Sequence, residues 1–157
     1  MIIPQLPGHS RVWFFGANRI LNSDEIAKLN VQLAEFISDW KAHGVGITAG
    51  FEIIHESIII IAADETHAPP SGCSIDKVFG LLKDSGIDFF QRQLIWRAFC
   101  NTSEIYTLSQ AMEQLESGNF NAQTLIVNSM VTNLEQVRNQ FYIPINASWA
   151  SKKLNLV

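Results

Sequence analysis

The hexapeptide Ser71-Gly72-Cys73-Ser74-Ile75-Asp76 places a thiol where a polar loop turns into a helix, the position in this chain best suited to chemistry. Unpaired N–H groups and the positive dipole end favour a thiolate at a helix N-terminus, so a cysteine there can titrate well below its reference value. His67, six residues earlier, is placed to accept the proton and Asp76 to orient it, which makes Cys73, His67 and Asp76 the catalytic candidates of a small thiol-dependent enzyme or redox protein. The backbone N–H groups of Gly72, Cys73 and Ser74, with the hydroxyls of Ser71 and Ser74, offer a second use as a cradle for a phosphate, sulfate or carboxylate, provided Asp64, Glu65 and Asp76 point away. A structural reading accounts for the same residues: Cys73 as a small buried filler, Ser71 or Ser74 as the cap, Gly72 as the turn and Asp76 as a first-turn complement to the dipole. That reading takes precedence, because no thiol-enzyme signature surrounds Cys73. The segment also lacks the final glycine and tight elbow of GxSxG.

Just upstream, Ile58-Ile59-Ile60-Ile61 followed by Ala62-Ala63-Asp64-Glu65 has the form of a Walker B strand, whose acidic end would hold Mg²⁺. No GxxxxGK[ST] string accompanies it to cradle phosphates, so ATP hydrolysis is set aside. Asp64, Glu65 and His67 make a weak metal set. His9, His43, His55 and His67 show no HxH or HExxH pairing, and Cys73 and Cys100 form no CxxC pair, so neither metal nor cofactor is expected.

Several elements must position these groups. Arg11 to Gly16 read as a first strand, with Val12 to Phe15 bulky, and Asn22-x-x-Glu25 as a capping box opening a helix from about Ser23 to Ala42, closed by His43-Gly44. Val45, Ile47, Ala49, Phe51 and Ile53 alternate with small or polar residues as in a strand buried on one face. His55-Glu56 reads as a hairpin turn, and Ser57 to Ala63 as a strand covered on both faces. A helix over about 74–85 and a strand over about 90–100 follow, the latter carrying Cys100 on a core-facing side with Leu94 and Trp96. The order β-α-β-β-α-β predicts an α+β fold with a ferredoxin-like core, an antiparallel sheet with both helices on one face. Residues 101–157 predict a C-terminal α/β extension: a short strand over 104–108, a helix over 109–117, a strand over 124–127, a helix opened by Thr132-x-x-Glu135, and a tail without a period that contains Trp149. No linker or repeat divides the chain, so 1–157 is read as one domain with its core at about 10–100.

Composition narrows the function classes. With 47% hydrophobic and 17% charged residues the chain is globular, and 157 residues bury enough surface to need neither disulfide nor structural metal. A net charge of −4 with dispersed Lys and Arg argues against nucleic acid as a partner. The N-terminus lacks the basic and apolar regions of a secretory signal, and the run from Ile58 to Ala63 is too short to cross a bilayer. No membrane association is therefore expected, and the localisation is read as cytoplasmic.

The segments Ser10-Arg11-Val12-Trp13, Asn18-Arg19, Trp40-x-x-His43-Gly44, Asp64-Glu65, Ser71 to Asp76, Asn128-x-x-Val131 and Ser148-Trp149 together resemble a family of small bacterial proteins that often carries the label "ABC transporter ATPase". The resemblance runs nearly the full length. It implies a globular single-domain bacterial protein and brings no catalytic residues or mechanism. The chain departs from the family pattern at Ser129, which stands where a second Asn is usual, and at Ala150, which stands in place of a His; a polar site built on those positions would be altered. The residues thus lead to an expectation of a non-enzymatic binding or interaction domain for a small molecule or another protein, with a homodimer among its assemblies. The thiol enzyme centred on Cys73 is the alternative.

Overall fold

The computed structural model describes residue 3, residues 5–70 and residues 72–156; of Gly72 and Cys73 it describes the backbone alone. The chain runs β1 (Arg11–Gly16), α1 (Ser23–Asp39), β2 (Lys41–Ala42), β3 (Val45–Gly46), β4 (Thr48–Ile54), β5 (Ile58–Asp64), α2 (Gly72–Asp84), β6 (Ile95–Phe99), β7 (Thr102–Tyr106), α3 (Leu108–Glu116), β8 (Leu125–Val127), α4 (Leu134–Asn139) and β9 (Tyr142–Pro144), then a 3-10 turn, Ile145–Ala147. It is a mixed α and β architecture with several small antiparallel sheets.

The isoleucine run organises everything else. β5 lies in the middle of an antiparallel sheet, order β1-β5-β4, and Ile58 to Ala63 have no exposed surface. Side chains alternate across a strand, so Ile59, Ile61 and Ala63 join Phe15 and Phe51 against Leu29 and Leu33 of α1 and Val78 and Leu82 of α2. Ile58, Ile60 and Ala62 point the other way, onto Leu94, Trp96, Val127, Leu134, Val137 and Phe141. The sheet is therefore the middle of three layers, with both helices on one face and the C-terminal third on the other. A separate cluster, Ile95, Ala111, Phe120, Ile126, Ile145, Ala150 and Leu154, holds that third together.

Local signals set the boundaries. Asn22 accepts from the Glu25 N–H at 2.9 Å while the Glu25 carboxylate accepts from the Asn22 N–H at 3.0 Å, the reciprocal box read from sequence. Glu25 is also gripped by Arg19 through two bonds of 2.7 and 2.9 Å; those bonds, and then the Asn22 N–H, pull its carboxyl down to about 2. The helix stops earlier than expected. Trp40 is its C-cap, and His43 (φ 51°) with Gly44 (φ 79°) forms the turn of the β2–β3 hairpin rather than the helix end. At α4 the cap moves by one residue: Asn133, not Thr132, accepts from the Gln136 N–H.

The expected fourth strand does not join the sheet. β6 pairs with β7 in its own hairpin, because a two-residue turn, Cys100-Asn101, makes that pairing local. The edge of β1 is occupied by residues 132–134: the Val12 N–H donates to the Thr132 carbonyl at 2.9 Å and the Leu134 N–H to the Ser10 carbonyl at 3.0 Å. Cys100 sits at the hairpin tip with φ 56°, exposed rather than in the core.

The β4–β5 turn carries His55 and Glu56 at φ 53° and 55°, a left-handed backbone that costs a residue with a Cβ roughly 1 kcal/mol. Glu56 is exposed. Glu56→Gly is expected to raise stability by about 1 kcal/mol in urea denaturation, and an unchanged or lower midpoint would contradict the turn geometry.

Candidate functional site

The acidic end of β5 is occupied by local partners. Asp64 accepts from the hydroxyl and N–H of Thr66 at 2.5 and 3.0 Å, and these bonds, aided by His9 at 3.6 Å, hold its carboxyl below the usual range. Glu65 pairs with Arg11 at 3.5 Å, and Arg11 lies over the Trp13 ring at 4.7 Å. His67 is exposed, and among the described residues no three His, Cys, Asp or Glu side chains converge as metal ligands. Asp64, Glu65 and His67 thus form a turn with its salt bridges and are not brought together as a metal centre.

α2 begins at Gly72, so Cys73 is its second residue and Ser74 its third. Asp76 falls in the second turn and is exposed, which removes its expected first-turn role against the dipole. Ser74 is buried and engaged. Ser71 and the Cys73 thiol lie outside the described residues, and with them the catalytic and anion-cradle expectations.

Titratable groups with displaced pKa values meet elsewhere, between β4 and the α4–β9 segment. β4 alternates, so Glu52 and Ile54 point away from Phe51 and toward the C-terminal layer, Glu52 opposite Ile60 in register. That layer brings Val137, Arg138 and Asn139 from α4, then Phe141 and Tyr142, to close a groove of about 500 Å³. The left-handed turn aims His55 at Tyr142: Nε2 lies 2.5 Å from the phenolic oxygen. Glu52 Oε2 is buried with no hydrogen-bond partner.

The electrostatics follow from that burial. Desolvation penalises the charged form, raising the Glu52 carboxyl and lowering the His55 imidazole. The Tyr142 phenol is raised, first by burial and then by the negative charge of Glu52. Arg138, also on the groove wall, donates from Nη2 to the carbonyls of Ile3 and Leu6 at 3.0 and 2.8 Å.

A second concavity, about 270 Å³, lies beside Trp96, with Phe14, Phe89, Met130 and Trp149 as apolar walls and Gln91 and Gln93 on its rim. The Trp96 ring is held by Nε1 donating to the Ala17 carbonyl at 2.9 Å and by an edge contact with Phe14 at 5.4 Å. Ser129 lines this pocket too.

Sequence reasoning missed the groove. Glu52 reads as the polar side of a half-buried strand and His55 as a turn residue, and Tyr142 carries no motif. The available signal was the isoleucine run: a central strand apolar on both faces requires a second cover, and that cover buries Glu52. Comparison with protein-family models, curated proteins and solved structures gives no match to this chain. Among the described residues no helix is long and apolar enough to cross a membrane.

Proposed function

We propose that the chain is a non-enzymatic, cytoplasmic binding domain that takes a small ligand in the groove between β4 and the α4–β9 segment, without requiring a second copy. The observation that carries this is Glu52 Oε2, a buried acceptor with no partner in a groove large enough for a ligand. A buried polar atom left unpaired costs about 1–3 kcal/mol, and a bound donor would offset that. Binding is favoured over catalysis by the direction of the pKa displacements. At the edge of the groove the Tyr142 hydroxyl meets the His55 imidazole, and burial makes the phenol a weaker acid and the imidazole a weaker base. Proton transfer from Tyr142 to His55 is thereby disfavoured, the reverse of what an activated nucleophile needs. The order β1-β5-β4 with both helices on one face supports a ferredoxin-like ancestry for the sheet, with residues 132–134 standing where a fourth strand would pair.

A fragment set containing neutral, cationic and anionic members, screened by amide NMR, tests the site. At least one fragment is expected to shift the Ile54, Asn139 and Tyr142 resonances in a saturable way. Fragments that move only the amides around Gln91 to Trp96 would transfer the function to the aromatic pocket and overturn the reading.

A further inference from the structure

Resting on that reading, we infer that the groove selects an organic cation, a primary ammonium carried on an apolar body. Glu52 Oε2 has no donor, and the Tyr142 phenol, which lines the same groove, is itself engaged with His55 Nε2. A neutral donor would satisfy the hydrogen bond and leave the carboxylate charge to the N-terminal ammonium of the chain, whose pull on Glu52 is weaker than the cost of its burial. An ammonium answers both needs, with further N–H groups available to the phenolic oxygen. The Phe141 and Tyr142 rings, 5.1 Å apart and edge to face, add aromatic surface that favours a cation, and Ile54 and Val137 suit an apolar body.

The competing charges set the orientation. Arg138 also lines the groove, yet it lies more than 4.0 Å from any carboxylate among the described residues and spends Nη2 on the Ile3 and Leu6 carbonyls. It repels a cation from its own end, leaving the Glu52–Tyr142 end for the ammonium. His55, with its pKa lowered by burial, is neutral near neutral pH and does not oppose it.

The probes are 2-phenylethylamine, with 2-phenylethanol and phenylacetate as neutral and anionic counterparts of similar shape, titrated near neutral pH against the full chain and its Glu52→Gln variant. Circular dichroism confirms that the variant is folded. The amine is expected to shift the Ile54 and Tyr142 amides and to bind about tenfold or more tightly than the alcohol, a preference lost in Glu52→Gln. The amine should also weaken as pH falls, as Glu52 takes a proton and His55 becomes charged. An alcohol that binds as well as the amine, an anion that binds better, or a preference that survives Glu52→Gln would overturn the ligand class and leave the groove as the site. If all three probes leave the groove amides unmoved, both the class and the site fall.

Discussion

Gly16→Ala is expected to cost about 3 kcal/mol or more, a drop of roughly 10 °C in Tm for a chain of this size. A Cβ built at Gly16 would lie 2.1 Å from Cζ2 of Trp96 and 2.5 Å from its Cε2, far inside any contact a real side chain makes. The ring has little freedom to retreat. Its nitrogen donates to the carbonyl of the next residue, Ala17, Phe14 meets it edge to face, and only 5% of the residue is exposed. Either the end of β1 shifts away from β5 or the indole leaves its place in the C-terminal layer. The same clash predicts a compensating pair: Gly16→Ala combined with Trp96→Leu should be more stable than the sum of the two single losses by about 1 kcal/mol or more in urea titrations. A near-wild-type midpoint for Gly16→Ala alone would mean that Trp96 does not close on the strand end as described.

Ile60→Ala and Ile61→Ala form the second large effect. The residues are neighbours on β5 with no exposed surface, one facing the C-terminal layer and the other the helices. Each truncation should cost about 3–4 kcal/mol, transfer and cavity terms together. The comparison also tests whether 1–157 behaves as one domain. Trp13 and Trp40 sit with the helical layer and Trp96 with the opposite one, so single-tryptophan variants report the two sides separately. Coincident transitions from both sides in both variants are expected, because one strand is the floor of both cores. If Ile60→Ala separates the Trp96 signal from the Trp13 and Trp40 signals, the C-terminal layer unfolds as an independent unit.

What could be read in advance depended on how local the signal was. The Asn22–Glu25 box and the doubly buried run at Ile58 to Ala63 are short-range patterns, and both appear as read. His43-Gly44 shows where local reasoning has two answers: a left-handed pair ends a helix or turns a hairpin, and the β2–β3 pairing decides. Cys100 alternates with Leu94 and Trp96 as a core residue should, yet the turn that begins there lifts it into solvent. The fourth strand was misplaced because its partner depends on what else reaches the edge of β1. That competitor, Thr132 to Leu134, lies more than 110 residues away along the chain. Glu52 fails for the same reason, since its surroundings come from Val137 to Tyr142 rather than from its own strand.

The covering of β5 by the end of the chain has a consequence for synthesis. Once α2 is complete the sheet and its helical face can form, but the side chains that shelter Ile58, Ile60 and Ala62 extend to Phe141. A ribosome adding about 5–20 residues per second leaves that isoleucine face bare for several seconds, and Arg138, whose bonds tie Ile3 and Leu6 to α4, emerges only after that interval has nearly passed. The newborn chain therefore passes through a stage at which it offers a sticky apolar plate to its neighbours, and slow translation or a shortened C-terminus would keep it there.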